Sequence, residues 1–477
     1  MILFLKGNLD RYEAESFARM LFPKISVSEN LPERDFVSIV SEDEHLSVTI
    51  NLDGREFKEE KNTPSDSPTR EVCRLLLKGF TALTGKTNKW GILTGVRPVK
   101  FYRDLIEKNF SHDEIKDIME NKWAVSKENS DFALSIAESQ IREIKKLSPR
   151  GVSLYVGIPF CPTRCSYCTF VSSATKPESP MIKDYLKAVE PEIEGIGKII
   201  ERNSLSLDTV YLGGGTPTIL SSEELDYLMS VIYKNLPIKK GMEITCEGGR
   251  PDTLNKEKLS VLRSYDVNRI SVNPQSMIQT VLDKANRRHS VKNIVDMAYL
   301  AMSMGFVVNM DLIAGLAGDS LEGFKYSLDS LRDLNPHNIT VHSLTLKRGS
   351  RLYEQEDDSI FQKDEEMEKM IEYSRNALFK AGYKPYYLYR NKGTIGNLDN
   401  TGYERDNTPC LYNIVMMEEV QSVFSAGAGS VTRLNSDKGL KRIFSLKLPL
   451  EYIKHPERIE KNLKEAGDFY ENCTAYR

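Results

Sequence analysis

The sequence predicts an α/β protein built on a partial (β/α)6 barrel, preceded by a small α+β domain and followed by a C-terminal extension. Two observations predict the barrel. From about Ser153 onward, short β-branched or aromatic runs alternate with amphipathic stretches, which is the pattern of βα units repeated around a parallel sheet. The residues with the most distinctive chemistry follow those predicted strands, at the edge where the active sites of barrels gather. We expect domains at residues 1–148, 149–384 and 385–477.

Six short segments are predicted to be the parallel strands of the barrel. The stretches between them carry apolar residues spaced three and four apart, as Leu186, Val189 and Ile193 are. Such stripes favour a packed helical core over contacts with a cofactor. The predicted strands are Ser153–Val156, Asp208–Leu212, Met242–Cys246, Arg269–Asn273, Val307–Ile313 and Asn338–Leu344.

The first 150 residues have a different pattern and predict a separate α+β domain, whose role the sequence leaves open. A helix is expected near Tyr12–Leu21, and a strand pair at Phe36–Val40 and Leu46–Leu52. The polar stretch Lys58–Thr69 contains two prolines and predicts an exposed loop, with a helix at Arg70–Leu83 beyond it.

The segment Trp90–Pro98 contains two glycines and no strong helical or strand pattern. It predicts either a packed turn or a loop that faces substrate through Arg97. The sequence alone leaves both interpretations open.

The composition excludes several classes of function. The 65 Lys and Arg nearly balance the 68 Asp and Glu, so a net charge of −3 creates no global field that would attract nucleic acid or an acidic membrane. The apolar stretch Met1–Leu5 is too short for a signal-peptide core, and no run of about 18 apolar residues follows it. We expect a cytoplasmic protein with no membrane span and no nucleic-acid partner.

Three of the seven cysteines are crowded into one Cys-x3-Cys-x2-Cys loop, Cys161, Cys165 and Cys168. This spacing is unlike the dispersed, even set of a disulfide framework. Three thiolates can hold three irons of a [4Fe–4S] cluster and leave the fourth iron open to a small ligand. A zinc site needs a fourth protein ligand, and no second cysteine pair occurs. The remaining cysteines are interpreted as small buried residues: Cys73, Cys246, Cys410 and Cys473.

The segment Tyr155-Val-Gly-Ile-Pro-Phe-Cys161-x3-Cys165-x-Tyr-Cys168 resembles the cluster loop of radical S-adenosylmethionine (SAM) enzymes, and especially that of the oxygen-independent coproporphyrinogen III oxidase group. With the N-terminal region and the Trp90–Pro98 segment included, the chain is most similar to the HemZ-type branch of coproporphyrinogen dehydrogenases. The other segments that carry the resemblance are Gly213–Thr218, Glu247, Arg269–Gln275, Asn286–Arg287, Asp311–Leu316 and Gly427–Gly429.

The resemblance implies that the three cysteines bind the cluster and form the catalytic centre, and that SAM chelates the open iron. An external one-electron donor such as flavodoxin or ferredoxin would reduce the cluster, and SAM would then yield a 5′-deoxyadenosyl radical. Glycines let a ligand approach the backbone, while carboxylate and guanidinium groups make strong charged hydrogen bonds. The implied cofactor-binding residues are Tyr155, Tyr167, Gly214, Gly215, Thr216, Glu247, Gln275, Arg287 and Asp311.

The resemblance further implies a tetrapyrrole substrate and the oxidative decarboxylation of coproporphyrinogen III to protoporphyrinogen IX in haem biosynthesis. Four substrate carboxylates need cationic partners, and Arg348, Arg351 and Arg390 follow the last predicted strands, where each is alternatively a surface residue. The segment Tyr383–Tyr389 predicts either a macrocycle pocket or a strand of the closing sheet. His342 is interpreted as either a proton relay or a core histidine.

Two positions depart from the family pattern. Phe170 stands where well-characterised coproporphyrinogen oxidases carry a further cysteine, and Asn273-Pro-Gln275 replaces Gly-Val-Gln. The substrate is therefore less determined than the radical chemistry. The alternatives are a haem-binding chaperone with an axial ligand such as His342 or His337, and a radical porphyrin methyltransferase with a second cofactor molecule.

Overall fold

The computed structural model describes residues 1–42, 45–62, 67–170, 172–345, 364–391, 398–436 and 439–471. The chain divides into two compact units, one within residues 1–138 and 388–397 and the other within 139–387 and 398–477. The domain bounds expected from the sequence stay a prediction beside this division. In the described ranges, no helix has the length and apolar character needed to cross a membrane.

The first unit is built on a small sheet with two helices. The parallel pairing of β1 with β2 and β3 is followed by the antiparallel pairs β3–β4 and β4–β5. Inward-facing residues of the sheet share a core with Phe17 and Leu76 of the helices. The elements are β1 Ile2–Gly7, α1 Arg11–Leu21, β2 Ser26–Val27, β3 Phe36–Glu42, β4 His45–Leu52, β5 Arg55–Asn62 and α2 Pro68–Thr84.

The predicted exposed loop at Lys58–Thr69 is wrong at both ends of the stretch, where the structure describes its residues. Residues up to Asn62 continue β5, which pairs with β4 along its whole length, and Pro68 already begins α2. The strand was missed because β5 lies at the edge of the sheet and its side chains are mostly exposed, so its composition is polar throughout.

Three further helices complete the first unit around a second core. Trp90 and Leu93 are buried there with Tyr102 of α3, so the segment Trp90–Pro98 is packed at its start, while Val96 is exposed. The alternative of a substrate-facing loop through Arg97 stays a prediction. Arg390 belongs to this unit as well, and its Nη1 donates to the carbonyl of Leu93 at 2.7 Å. The helices are α3 Pro98–Glu107, α4 His112–Asp117 and α5 Lys127–Ile144, with a π-helical turn at Ile118–Lys122.

The second unit contains a large mixed sheet whose described strands have the order β14-β15-β13-β12-β11-β10-β9-β6-β16-β17-β18. The strands from β13 to β6, and β16 beside β6, pair in parallel, whereas β15, β17 and β18 pair antiparallel. The strands are β6 Gly151–Ile158, β9 Ser206–Gly214, β10 Glu243–Glu247, β11 Arg269–Ser271, β12 Val307–Ala314, β13 Asn338–Ser343, β14 Lys384–Arg390, β15 Asp399–Glu404, β16 Ser422–Ala426, β17 Val431–Ser436 and β18 Gly439–Phe444.

Helices follow most of the parallel strands, as βα units require. Several begin at a side-chain cap, for example Ser221, which forms a reciprocal capping box with Glu224. They are α6 Pro180–Arg202, α7 Ser222–Asn235, α8 Lys256–Ser264, α9 Gln279–Lys284, α10 Val291–Ser303, α11 Leu321–Leu334, α12 Asp364–Lys380, α13 Leu411–Glu418, α14 Pro449–Lys454 and α15 Pro456–Glu471.

The predicted fold class is confirmed: the six predicted strands are β6 and β9–β13, neighbours in chain order, with bounds within two residues of those expected. Across the described strands the sheet has two ends, β14 and β18, so it is an open barrel rather than a closed one. The tyrosine-rich segment forms β14, in which Tyr386 and Tyr387 are buried. The interpretation as a sheet strand is therefore correct for that segment.

Candidate active site

The three cysteines lie on the loop that follows the first barrel strand. Cys161 ends the two-residue strand β7 (Phe160–Cys161), which pairs with β8 (Ser173–Ala174). Cys165 is buried, while Cys161 and Cys168 are partly exposed. The hydroxyl of Thr216, from the end of β9, donates to the Cys161 sulfur at 3.4 Å. The cysteine loop therefore touches the glycine-rich turn.

Backbone and side-chain hydrogen bonds hold the cysteine loop against the segment that follows α9. The amide of Ser166 donates to the carbonyl of Ala285 at 3.2 Å, and Asn286 Nδ2 donates to the carbonyl of Arg164 at 2.8 Å. The Thr163 hydroxyl donates to the carbonyl of Asn286 at 3.2 Å. The loop conformation is thus set by a segment about 120 residues further along the chain.

The environment of the thiols opposes ionisation in the absence of a metal. Burial is the largest cause that raises the pKa of Cys168, to about 11, and neighbouring Cys165 and Cys161 raise it further. Burial likewise raises the pKa of Cys161, against hydrogen bonds from Thr216 and Ser172. Thiolates crowded at one site are stabilised by cationic iron, as in iron–sulfur clusters. Among the described residues, no three His, Cys, Asp or Glu side chains are grouped around a single metal ion. A cluster is a different case, because each thiolate binds its own iron.

Arg287 is buried beside this loop and bonds to Tyr167, a half-buried residue of the loop itself. Arg287 Nη1 donates to the Tyr167 hydroxyl at 3.0 Å, and its Nη2 donates to the carbonyls of Gly249 and Asn273 at 2.8 and 2.6 Å. These contacts tie the loop to the ends of two strands. The terminal nitrogens of Arg287 already have protein partners. The expected contact of Arg287 and Tyr167 with SAM stays a prediction.

The glycine triplet at the end of β9 has a packing reason for at least two of its members. A Cβ on Gly215 would lie 2.5 Å from the carbonyl oxygen of Phe160, and Gly214 has φ +110°, which favours glycine. The amide of Thr216 donates to the carbonyl of Phe160 at 2.8 Å. The triplet therefore lets the turn lie directly on the cysteine loop, and a cofactor contact there stays a prediction.

Glu247 ends β10 as a half-buried carboxylate with two protein donors. The Tyr211 hydroxyl donates to its Oε1 at 2.6 Å, and the Gly214 amide donates to its Oε2 at 3.2 Å. Burial raises the pKa of Glu247 to about 7; the Tyr211 hydrogen bond lowers it and the charge of Asp311 raises it. The carboxyl group can therefore exchange a proton near neutral pH. The sequence did not indicate this coupling to Tyr211.

Tyr155 belongs to a group of three nearly parallel rings. Its ring centroid lies 6.2 Å from that of Tyr211 on the adjacent strand, and Tyr211 stacks on Tyr412 at 4.3 Å. Tyr412 reaches this place from α13, whose first amides donate to the Glu243 carboxylate. The rings form an aromatic wall next to Glu247, and the role of Tyr155 toward SAM stays a prediction.

Gln275, four residues beyond the end of β11, lies beside Asp311 of β12. The backbone amide of Gln275 donates to the backbone carbonyl of Asp311 at 2.9 Å. Gln275 has φ +68°, a strained value for a residue with a side chain. Asp311 Oδ1 accepts from Asn309 Nδ2 at 2.7 Å, and its Oδ2 lies 3.7 Å from His342 Nε2. The structure therefore joins His342 to the carboxylates of the predicted site.

Buried polar atoms along this edge provide a test of whether a polar cofactor fits. Among the described residues, Gln275 Oε1, Asn273 Oδ1 and Arg287 Nε are buried without a hydrogen-bond partner. Buried polar atoms in native proteins are almost always paired, so unpaired atoms near a site indicate a missing ligand or water. SAM carries an amine, a carboxylate and hydroxyls that suit such atoms. The residues present fit the cofactor.

The expected substrate clamps are not supported where the structure describes them. Arg390 is wrong as an exposed clamp, because it is 5% exposed and its Nη1 is bound to a backbone carbonyl. Arg348 and Arg351 lie outside the described residues, as does Cys473. His337 accepts a hydrogen bond from the Val308 amide through Nδ1 at the start of β13, away from the strand end that carries His342.

Three comparisons with known proteins agree on the family. Residues 155–331 match the model of the Radical SAM superfamily. The chain is 34% identical, over 89% of its length and 88% of the relative's, to the oxygen-independent coproporphyrinogen-III oxidase-like protein HemZ of Bacillus subtilis (strain 168). It is 33% identical to the heme chaperone HemW of the same organism, over 42% of this chain and 52% of that protein.

The fold has a solved counterpart as well. The chain is similar to coproporphyrinogen III oxidase (HemN) from Escherichia coli, described as a radical SAM enzyme, with a TM-score of 0.53 and 21% identity over 71% of this chain and 73% of that one. The fold and the superfamily match together define a radical SAM protein, which uses a [4Fe–4S] cluster and SAM as cofactors. More narrowly, the chain belongs to the oxygen-independent coproporphyrinogen-III oxidase-like family that includes HemZ.

Proposed function

We propose that this protein is a radical SAM oxidoreductase that decarboxylates coproporphyrinogen III to protoporphyrinogen IX, with Cys161, Cys165 and Cys168 as the cluster ligands. The observation that carries the proposal is the 34% identity to the coproporphyrinogen-III oxidase-like protein HemZ along nearly the whole of both chains. Agreement over 89% of the chain includes regions outside the cluster loop, where substrate contacts are expected.

The cluster and SAM, when bound, supply a carbon-centred radical that abstracts a hydrogen atom from the substrate. The balance is then simple: a propionate side chain loses one hydrogen atom, then carbon dioxide and one electron, and a vinyl group remains. The electron passes to an external one-electron acceptor, and a second round on another propionate completes the product. An external one-electron donor such as flavodoxin or ferredoxin reduces the cluster.

The chain's own residues supply position and protons. The aromatic wall of Tyr155, Tyr211 and Tyr412 shields the edge of the sheet from water, and Gln275 with Asp311 offers polar atoms to the ribose or adenine of SAM. Glu247, whose pKa burial raises to about 7, can hold a proton or accept one beside them.

The test is an anaerobic incubation of the reconstituted full chain with dithionite or reduced flavodoxin, SAM and coproporphyrinogen III. We expect 5′-deoxyadenosine, carbon dioxide and protoporphyrinogen IX, the latter detected by oxidation to the fluorescent porphyrin. The test variant is Cys165→Ser, in the loop. The control variant is Cys246→Ser, which changes a buried cysteine outside the loop. Loss of product only in the loop variant supports the proposal, and 5′-deoxyadenosine without any porphyrin product contradicts the substrate.

A second candidate is a haem-binding chaperone, favoured by the similarity to proteins named heme chaperone HemW. An axial ligand is required, and His342 is the histidine that lies beside the carboxylates of the site, 3.7 Å from Asp311. Stoichiometric haem binding that is lost in His342→Ala, without turnover of coproporphyrinogen III, would favour this function. A methyltransferase would instead consume two SAM molecules for each methylated porphyrin.

A further inference from the structure

Arg250, three residues beyond β10, is a buried arginine that meets the cysteine loop. Its side chain is 3% exposed. Nε and Nη2 donate to the two carboxylate oxygens of Asp252 at 3.0 and 2.9 Å, and Nη1 donates to the carbonyl and hydroxyl oxygens of Thr163. Each guanidinium nitrogen therefore has an acceptor, in the two-pronged geometry that favours arginine over lysine.

Thr163 lies in the turn between Cys161 and Cys165, and it connects Arg250 to the rest of the support. Its hydroxyl accepts from Arg250 and donates to the carbonyl of Asn286, so two separate segments meet at one side chain. This arrangement leaves the turn with little freedom.

Asp252 keeps the arginine in place from the other side. His289 Nδ1 lies 3.4 Å from Asp252 Oδ1. Although burial raises the pKa of Asp252, the two hydrogen bonds and the charge of Arg250, with His289 nearby, hold that pKa well below its usual range. The carboxylate is therefore charged at neutral pH and anchors the guanidinium.

We propose that Arg250 is a positioning residue that holds the turn between Cys161 and Cys165 in the conformation that binds the [4Fe–4S] cluster. Without the hydrogen bonds from Arg250 to Thr163, the turn would be less ordered before the cluster binds. Ordering the turn on binding would then cost conformational entropy. Groups that orient metal ligands typically change metal affinity 10- to 100-fold when removed. The proposal depends on the cluster and not on which substrate is used.

The test measures iron retention in the full chain. Wild type, Arg250→Gln and Arg250→Lys are reconstituted anaerobically, and the release of iron to a ferrous chelator is followed by absorbance. We expect iron to be released from Arg250→Gln at least roughly 10-fold faster than from wild type. An intermediate rate is expected for Arg250→Lys, which keeps the charge and loses the fork.

Arg269→Gln is the matched control, because Arg269 is also buried and donates to Asn338 and to the carbonyl of Thr408, at the start of β11. We expect a lower melting temperature for this variant with wild-type iron release. If Arg250→Gln releases iron at the wild-type rate, or no faster than Arg269→Gln, the proposal is overturned.

Thr163→Val keeps the proposal testable should Arg250→Gln fail to fold. Valine removes the hydroxyl contact with little change of shape, and we expect faster iron release from this variant too. In the double variant the two effects should be less than additive, because both remove the same contact. Full additivity, or wild-type release from Thr163→Val, would contradict the role of Arg250. No substrate is present, so failure here is distinct from failure of the proposed reaction.

Discussion

Two glutamates in the second unit, Glu247 half-buried and Glu192 buried, have the same kind of partners and different surroundings. Glu247 accepts from the Tyr211 hydroxyl and the Gly214 amide at the end of β10. Glu192, on α6, accepts through Oε2 from the Gly427 amide at 2.8 Å and from a tyrosine hydroxyl of α14, that of Tyr452. Burial raises the pKa of both carboxyl groups to about 7.

What differs is the rest of the environment. Glu247 lies near Asp311 and His342, whose charges act on it. No charged side chain contributes to the shift of Glu192: burial raises its pKa, and the hydrogen bonds from Tyr452 and Gly427 lower it. A raised pKa is therefore not by itself a sign of catalysis, and the neighbours of the group distinguish a site from a support.

Truncation at Glu192 should have the largest effect on stability. Glu192→Ala removes the acceptor of two buried donors, each of which costs about 1–3 kcal/mol when left unpaired, so we expect the free energy of unfolding to fall by about 3–5 kcal/mol. Urea unfolding of the full chain measures it. Glu194→Ala, two residues along the same helix and exposed, should leave unfolding nearly unchanged; equal losses in both variants would contradict the support role.

The second test uses pH. Because burial raises the pKa of Glu192 from 4.5 to about 7, the folded state binds more protons than the unfolded state between those values, and this group makes stability fall as pH rises. Glu192→Gln removes that dependence. The variant should gain about 3 kcal/mol relative to wild type between pH 4.5 and pH 8. Urea unfolding at several pH values measures the difference, and a constant difference would refute the raised pKa.

The smallest effect on stability and the specific effect on ligand binding are expected at Glu247. A hydrogen bond to a charged group contributes about 1.5–3 kcal/mol, so Glu247→Gln should weaken SAM binding roughly 10- to 100-fold. Anaerobic calorimetry with the reconstituted protein measures the dissociation constant. Glu192→Gln, with the same chemical change, should bind SAM as wild type does. Equal weakening in both variants would erase the distinction between the two glutamates.

The glycines show where sequence interpretation stopped short. Gly214 and Gly215 were expected to let a cofactor approach the backbone, which stays a prediction. The structure adds protein contacts that the sequence did not indicate: a Cβ on Gly215 would meet Phe160, and the Gly214 amide donates to Glu247. The residue type correctly indicated a close approach to the backbone. It did not indicate the partner, because a missing side chain looks the same whether protein or ligand fills the space.

Arg287 and Arg390 show the same limit for charged residues. Arg287 was expected to contact the cofactor, which stays a prediction, and Arg390 to be either a substrate clamp or a surface residue. Both are buried, and each donates to a backbone carbonyl through a terminal nitrogen. Conversely, Arg250, Tyr211 and Glu192 were not expected to matter. The hydrogen bonds that matter here join Arg250 to Thr163, Tyr211 to Glu247 and Glu192 to Gly427. Their partners are 87, 36 and 235 residues apart in the chain, so no local pattern could indicate them.

The sequence by itself determined the βα alternation, the order of the barrel strands and the triplet of thiols, because each depends on spacing within a few residues. Hydrophobic periodicity and a Cys-x3-Cys-x2-Cys loop are local and need no tertiary information. Only the tertiary structure decided which polar side chains support the site and which remain available to a ligand. Burial and pairing arise between distant segments, and they alone distinguish Glu247 from Glu192 and a clamp from an anchor.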